Sequence, residues 1–361
     1  MSESRPAVIV LAAGGGTRMK SSLPKVLHTI VGRTMLDHVL AAARELAPAE
    51  LIVVVGHGRE QVVRHLTKNA PDVRPVTQDR QGGTGHAVRT AIETVGLDHG
   101  TVLVTYGDSP VLRGQTLAAL VHAHAVHKAA ATALTTVMED PTGYGRIVRD
   151  SDGAFAEIVE EADATPGQRA ITEINSGIYA FEAALLADAL KRVPTSNVKG
   201  EEYLTDVVAI MRGDGHHVAS VMMADSDEAR GVNDRAQLAQ AGRILNARLL
   251  DKWMRAGVTI VDPFTTSVDA DVVLAPDVSI GPGTQLEGTT VVEAGARIGP
   301  GCLLSDTTVG PGATVTHAVC EKAVIAPGAT VGPFSHLLPG TRFGAGALAG
   351  SAATRKGAQE A

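Results

Sequence analysis

The chain has 361 residues, more than one domain of typical size, so two domains are expected. Hydrophobic residues make up 44% and charged residues 20%, a composition that excludes a mainly disordered chain. The net charge of −7 provides no general attraction for nucleic acid or anionic lipid. The two cysteines, Cys302 and Cys320, have no metal-binding spacing and are too few for a disulfide framework.

The apolar residues near the N-terminus do not form a membrane segment. Their longest run, residues 7–13, is too short to cross a bilayer and lacks a signal-peptide cleavage pattern. Aromatic residues are only 3% of the chain, which argues against stacking platforms for single-stranded nucleic acid. We therefore expect a soluble, cytoplasmic protein whose partners are neither membranes nor nucleic acids.

The N-terminal half alternates between two kinds of segment. Residues 7–12, 51–55 and 101–105 are continuous apolar runs, as buried parallel strands are. Between them, residues 35–46 and 86–95 are Ala-rich and helix-like. This alternation predicts an α/β fold with an open, Rossmann-like sheet and helices on both faces. Ligands of such sheets bind at the carboxyl ends of the strands.

A single long helix is predicted over residues 234–257, where it links two domains. Gly257 is a typical C-terminal stop for such a helix. Apolar residues recur in the segment at steps of three and four and form one stripe: Leu238, Ala241, Leu245, Leu249 and Trp253.

After the helix the sequence repeats every six residues, with Gly and Pro at the corners. This hexapeptide repeat predicts a parallel β-helix of roughly four coils over residues 258–345. A β-sandwich with regular turns is the alternative, and residues 346–361 are expected to be a disordered tail. The repeat places these residues inward: Val268, Leu274, Ile280, Leu286, Val292, Ile298 and Leu304, then, after slips of phase, Val309, Val315, Val319, Ile325, Val331, Leu337 and Phe343.

A glycine-rich segment, Gly14-Gly15-Gly16, directly follows the first strand. Because it lacks Cβ atoms, its backbone amides can approach a triphosphate closely. Arg18 and Lys25 add two cations near the same segment: a planar guanidinium that can bind phosphate through two N–H groups, and a compact ammonium. The segment is not a P-loop, since no Gly-Lys-Ser/Thr follows it, and it does not match the dinucleotide motif Gly-x-Gly-x-x-Gly.

Further motifs follow in a recognisable order. They are residues 11–19 (LAAGGGTRM), 24–28 (PKVLH), 78–86 (QDRQGGTGH), 106–108 (YGD), 143–147 (GYGRI), 158–160 (IVE), 173–177 (EINSG), 202–206 (EYLTD) and 231–233 (GVN). Together they resemble the sugar-1-phosphate nucleotidylyltransferases, above all the branch that combines N-acetylglucosamine-1-phosphate uridylyltransferase with glucosamine-1-phosphate acetyltransferase. The resemblance covers nearly the whole chain. It implies a nucleotidyltransferase domain with a mixed sheet at 1–233, followed by a short left-handed parallel β-helix.

The resemblance also implies roles for individual residues. Carboxylate oxygen is a suitable hard ligand for Mg²⁺, and an amide can pair with the donors and acceptors of a pyrimidine. Ala162 stands where some members of the family have Lys, which leaves open what orders the loop after Glu160. The implied sets are Leu11, Ala12, Ala13, Gly14, Lys25, Gln78, Gln81, Gly83 and Thr84 for the nucleotide; Tyr106, Gly145, Glu160, Asn175, Tyr203 and Thr205 for the sugar phosphate; Asp108 and Asn233 for Mg²⁺; and Arg18 and Lys25 for catalysis.

The implied reaction is attack by a phosphate oxygen of a sugar 1-phosphate on the α-phosphorus of UTP, with loss of pyrophosphate. Such a transfer needs positioning and charge neutralisation more than a nucleophilic side chain. No general base is needed, because the attacking oxygen is already ionised at neutral pH. The expected product is UDP-N-acetylglucosamine, and the alternative is transfer from another NTP to a different sugar or cyclitol phosphate.

The second half departs from the family at Leu338, where an Arg that holds substrate is usual. The chain also ends before the coils in which the family places its catalytic His and acetyl-CoA. We therefore expect that acetyl transfer is lost, and that the coils serve stability and packing into a homotrimer. A non-catalytic scaffold is a further alternative, against which Arg18, Lys25, Asp108 and Asn233 all argue.

Overall fold

The structure is a computed structural model that describes residues 5–350, 354–355 and 358–359. It divides into two compact units. The first unit holds the described residues of Met1–His28 and Thr34–Ala241, and the second those of Thr29–Arg33 and Gly242–Ala361. The boundaries predicted above, which end the nucleotidyltransferase domain at 233, the linker helix at 257 and the β-helix at 345, stay a prediction.

A nine-stranded mixed sheet forms the centre of the first unit. Its order is β9-β5-β8-β4-β1-β2-β3, with β6 paired to β8 and β7 paired to β6. Strands β1 to β4 are parallel to their neighbours in that group, whereas β8 is antiparallel to β4 and β5. The Rossmann-like mixed sheet is thus confirmed. The strands are β1 (Ala7–Ala12), β2 (Glu50–Val55), β3 (Arg74–Thr77), β4 (Thr101–Tyr106), β5 (Ala131–Val137), β6 (Arg146–Arg149), β7 (Phe155–Val159), β8 (Glu173–Glu182) and β9 (Val218–Met222).

Helices cover both faces of this sheet. One face packs on α1, α2 and α4, and the other on α3, α6 and α7. Among the described residues, no helix combines the length and apolar character needed to cross a bilayer. The helices are α1 (Met35–Arg44), α2 (Arg59–Asn69), α3 (Thr84–Val95), α4 (Gly114–His127), α5 (Pro166–Arg169), α6 (Ala183–Leu190), α7 (Asp206–Gly213) and α8 (Arg235–Arg255), with 3-10 turns at Thr17–Met19, Lys25–Leu27 and Ser226–Ala229.

Strand β1 explains why the first apolar run is unbroken. Val8 and Val10 face one helical layer, whereas Ile9 and Leu11 face the other, and all four are buried. A strand covered on both faces has no polar side, so its sequence does not alternate. Its parallel neighbours β2 and β4 end at the same edge of the sheet, and the loops after these strands gather there.

The second unit is a parallel β-helix. Three six-stranded parallel sheets stack the coils, which excludes the β-sandwich, and the short segment Thr29–Arg33 belongs to the same unit. The inward side chains form one continuous apolar core. The first sheet comprises Thr259–Ile260, Ser279–Ile280, Arg297–Ile298, Thr314–Val315, Thr330–Val331 and Leu348–Ala349; the second Ser267–Val268, Gln285–Glu287, Leu303–Ser305, Val319–Glu321, His336–Leu337 and Thr354–Arg355; the third Val273–Leu274, Val291–Val292, Thr308–Val309, Val324–Ile325, Arg342–Phe343 and Ala358–Gln359.

The coils differ from the sequence prediction in three respects. Each sheet has six strands, so there are more coils than the four expected. Val319 was predicted inward, but it is half-buried and faces outward, while Cys320 is the buried residue that stacks on Leu304. The described parts of 346–361 form strands that extend the three sheets, and the rest of that segment lies outside the described residues.

The alternation within one strand of the β-helix can be tested with adjacent leucines. Leu304 is fully buried, whereas Leu303 is half-buried on the outer face. We expect Leu304→Ala to lower the free energy of unfolding by about 2–5 kcal/mol, because it leaves a cavity in the core. Leu303→Ala should cost clearly less. Equal losses for the two variants in denaturant titrations would contradict the assigned facing.

Candidate active site

A cavity of about 270 Å³ lies at the carboxyl ends of β1 and β4. Tyr106 and Asp108 line it at the end of β4. Val26, Ala87 and Glu201 also line it, although no motif had assigned them a role. The structure therefore brings the whole predicted nucleotide set together, and the role of each member stays a prediction. That set, all of it in the walls, is Leu11, Ala12, Ala13, Gly14, Lys25, Gln78, Gln81, Gly83 and Thr84.

Gly16 lets the loop after β1 pass close to Lys25. Its φ is +56°, and a Cβ atom there would lie 2.6 Å from the Cβ of Lys25, closer than real Cβ atoms approach. The Lys25 ammonium forms an ion pair with Asp108 and donates a hydrogen bond to Asn233 Oδ1 at 3.2 Å. Three residues from distant parts of the chain thus meet at one point.

Backbone hydrogen bonds hold Asn233 beside Asp108. The N–H of Val232 donates to the carbonyl of Asp108 at 2.8 Å, and the N–H of Gly107 donates to that of Leu11 at 2.9 Å. The first bond joins the loop before α8 to the loop after β4, and the second fixes the latter loop against β1. As a result, a carboxylate and an amide present their oxygens to the same cation, which here is the Lys25 ammonium.

The predicted sugar-phosphate residues form a second cluster. The N–H of Asn175 donates to the carbonyl of Gly145 at 2.8 Å, and the Thr205 hydroxyl donates to Glu160 Oε1 at 3.3 Å. Burial raises the pKa of Glu160, and the Thr205 hydrogen bond opposes this shift. Burial raises the pKa of Tyr203 to about 12, so its hydroxyl stays protonated at neutral pH and can donate a hydrogen bond.

Glu202 fixes the segment before Tyr203 to the loop and helix that carry Gly83 and Thr84, contacts that sequence reasoning did not predict. Its N–H donates to the carbonyl of Gly82, and its own carbonyl accepts from Gly85, both at 2.8 Å. Its carboxylate accepts hydrogen bonds from Arg89 at 2.8 Å and from Arg80 at 3.2 Å. Glu202 appeared only as part of a motif, and no sequence signal pairs it with two arginines far away in the chain.

Two residues were predicted to be catalytic. Among the described residues, Lys25 lines the cavity, whereas Arg18 does not. Arg18 is exposed on the 3-10 turn Thr17–Met19. An exposed arginine keeps its rotamer freedom, so packing does not fix the position of its guanidinium. The catalytic role of Arg18 stays a prediction.

Comparison with known proteins identifies the family. A model of the MobA-like NTP transferase domain matches residues 8–177. The bifunctional protein GlmU of Streptomyces avermitilis is 54% identical over 361 residues, covering 99% of this chain and 75% of that protein. The proteins of the same name from Thermobifida fusca and Streptomyces coelicolor are 55% and 53% identical, covering 91% and 95% of this chain and 69% and 72% of their own lengths.

The chain belongs to the GlmU family. It is a sugar-1-phosphate nucleotidyltransferase, as the sequence motifs predicted. The domain match includes Lys25, Asp108, Glu160 and Asn175 but stops before residues 201–205 and 231–233. Those later segments contact the matched part of the chain: Glu202 accepts from Arg89, Thr205 donates to Glu160, and Asn233 accepts from Lys25.

The close approach of Gly83 to Glu202 offers a direct test of the nucleotide site. Gly83 has a φ of +103°, and a Cβ atom there would lie 2.5 Å from the Glu202 carbonyl oxygen. Gly83→Ala should push the loop away from residues 201–204, an overpacking cost of about 1–3 kcal/mol. We therefore expect the Kd for NTP, measured by calorimetry, to rise about tenfold or more.

Gly96→Ala is the matched control. Gly96 lies at the other end of α3 with a φ of +79°, but a Cβ atom there meets nothing within 4 Å. This variant should lose about 1 kcal/mol of stability through backbone strain, with NTP affinity unchanged. Equal Kd values for NTP in Gly83→Ala and Gly96→Ala would mean that the close approach of Gly83 to Glu202 does not affect nucleotide binding.

Proposed function

We propose that the chain transfers a uridylyl group from UTP to N-acetylglucosamine 1-phosphate and releases pyrophosphate. The proposal rests on one observation above all: the cavity formed by the predicted nucleotide residues adjoins both the Lys25–Asp108–Asn233 group and the cluster around Glu160. Tyr106 marks this junction, because it lines the cavity and its hydroxyl lies within the electrostatic influence of both Glu160 and Asp108.

In the proposed reaction, a phosphate oxygen of the sugar 1-phosphate forms a bond to the α-phosphorus of the nucleotide. The bond from that phosphorus to the bridging oxygen of the leaving pyrophosphate breaks, and the oxygen keeps the electron pair. The Lys25 ammonium would stabilise the charge that develops on the phosphates, and the amides of the glycine-rich loop would orient them. No side chain needs to remove a proton, since the attacking oxygen is already an anion.

The residues around Lys25 fit Mg²⁺. Asp108 and Asn233 direct two oxygens at one cationic position, and Mg²⁺ is commonly held by one or two such ligands together with phosphates and water. No group of three or more His, Cys, Asp or Glu side chains suited to a metal occurs among the described residues, in keeping with a site completed by substrate. When bound, Mg²⁺ would neutralise phosphate charge and help to orient the nucleotide.

The chemistry of the second cluster suits a sugar with hydroxyl and amide groups. Glu160 offers a carboxylate, and Asn175 an amide that the Tyr179 hydroxyl holds at 2.6 Å. The name of the relatives, bifunctional protein GlmU, together with the motif resemblance, favours N-acetylglucosamine 1-phosphate among the candidate sugars.

The word bifunctional in the name of the relatives indicates a second activity, which the motif resemblance implies is acetyl transfer. We propose that this chain lacks it. Leu338 occupies the position where the resemblance places a substrate-holding Arg, and an apolar side chain cannot bind phosphate charge. For the β-helix we propose assembly of three copies, supported by an outward column on its third sheet that is apolar except for one threonine: Val273, Val291, Thr308 and Val324. Val273 is 51% exposed and Val324 38%, which is apolar area that a neighbouring copy would cover.

A substrate panel tests these proposals together. We expect pyrophosphate release to be fastest with UTP and N-acetylglucosamine 1-phosphate among the common NTPs and sugar or cyclitol 1-phosphates. Acetyl-CoA with glucosamine 1-phosphate should give no turnover, and light scattering should give the mass of three chains. A clear preference for another pair of substrates would overturn the uridylyl assignment, and detectable acetyl transfer would overturn the assigned loss.

The metal proposal predicts the behaviour of Asp108→Asn. The amide is isosteric and should preserve the fold, but removing a full charge should weaken Mg²⁺ binding. At limiting Mg²⁺ we expect the rate to fall by roughly two decades, the scale for loss of a transition-state electrostatic contact. Asp98→Asn is the control, since that side chain is 83% exposed and lies outside every motif. Turnover of Asp108→Asn at the wild-type rate at limiting Mg²⁺ would remove Asp108 from the metal site.

A further inference from the structure

We propose that Arg146 and Glu161 form a positioning pair for the sugar-phosphate cluster. The inference rests on the proposed function of Gly145, Glu160 and Asn175 as that cluster. The pair would not touch substrate. It would hold the backbone that carries the contact residues, and it would leave the Glu160 carboxylate free to face the sugar.

The Arg146 side chain is buried to an unusual degree for an arginine, with 2% of it exposed. Its guanidinium donates hydrogen bonds to the carbonyl of Tyr144 and, at 3.3 Å, to the carbonyl of Arg169. Its Nη2 lies 2.7 Å from Glu161 Oε2. One side chain thereby ties the Gly145 turn, the end of α5 and the loop after β7 to each other.

The backbone of Arg146 lies at the junction of three strands. In β6 it pairs with Val159 of β7 on one side and with Ile174 of β8 on the other. The predicted sugar residues are each one position away along the chain: Gly145 precedes Arg146, Glu160 follows Val159, and Asn175 follows Ile174. A displacement of Arg146 would therefore move all three together.

The charge of Arg146 requires a counter-charge, because a buried guanidinium without one is strongly unfavourable. Two adjacent carboxylates, Glu160 and Glu161, are close enough in the chain to provide it. Glu161 pairs with Arg146, whereas Glu160 accepts its hydrogen bond from Thr205. Glu161 thus keeps the arginine occupied, and Glu160 remains available at the site.

The loop after Glu160 depends on the same arrangement. The N–H of Asp163 donates to the carbonyl of Glu160 at 3.0 Å, and the Asp163 carboxylate accepts from the N–H of Val198 at 3.1 Å. Residue 162 is alanine and contributes no charge. In this chain the positive charge that orders the loop is that of Arg146, which lies on the neighbouring strand β6 and pairs with Glu161.

The test removes the counter-charge while keeping the shape. In Glu161→Gln the guanidinium loses its charged partner, and the Glu160 carboxylate becomes the nearest alternative along the chain. We expect the KM for the sugar 1-phosphate to rise about tenfold or more, with the KM for the NTP within twofold of wild type. The control is Glu157→Gln, a half-buried carboxylate on β7. A rise of both KM values together, or no difference between the two variants, would overturn the proposal.

A double variant provides a second test of the pair, which remains informative if one single variant is unstable. Arg146→Met removes the charge that Glu161 neutralises, so the double variant Arg146→Met/Glu161→Gln should lose less sugar-phosphate affinity than the two single losses combined. Strict additivity would mean that the two side chains act independently, which contradicts the pair.

Hydrogen exchange separates this inference from the proposed function. The Asp163 amide, bonded to the Glu160 carbonyl, should exchange faster in Glu161→Gln than in wild type or Glu157→Gln, whatever the substrate is. Unchanged protection would overturn the inference. If wild type used no sugar 1-phosphate while the exchange difference was present, the proposed function would fail and the ordering role of the pair would stand.

Discussion

Strand β1, Ala7–Ala12, is hydrogen-bonded on both edges and buried on both faces. The loops at the site take their positions from where this strand and its parallel neighbours end, because a shift of one residue would turn every side chain of β1 toward the opposite helical layer. The glycine-rich loop leaves it directly, and the carbonyl of Leu11 holds the loop that carries Asp108. The strand therefore positions the glycine-rich loop and the loop of Asp108 relative to each other.

Pairs of opposite charge fix the loops that the sheet does not hold. Lys25 joins Asp108, Arg89 joins Glu202, and Arg146 joins Glu161. Each pair connects segments far apart in the chain or on different strands, and each has at least one partner largely removed from water. Under such conditions an ion pair restricts geometry more than it adds stability. That property suits an enzyme whose proposed chemistry depends on positioning rather than on a reactive side chain.

The two units differ in how far their sequences could be read. In the β-helix, a repeat of known period assigns most inward residues, and Leu304 is an example. The error at Val319 arose where coils shorten: stacked inward residues are 18 apart from Leu286 to Leu304 but 16 apart from Leu304 to Cys320. A six-residue count cannot tell where two residues are lost in a coil. Stacking against the previous coil decides that point.

The sequence by itself determined the alternation of strands and helices and the β-helix, because these depend on local periodicity. Its short contiguous motifs also named most of the residues that line the cavity, although not Val26, Ala87 or Glu201. Only the tertiary structure decided which charges meet. No local pattern links Glu202 to Arg89, assigns Glu161 rather than Glu160 to Arg146, or leaves Arg18 exposed outside the cavity walls. Pairing between distant side chains depends on which backbone segments come together in the folded chain, and the residues next to each side chain in the sequence carry no information about that.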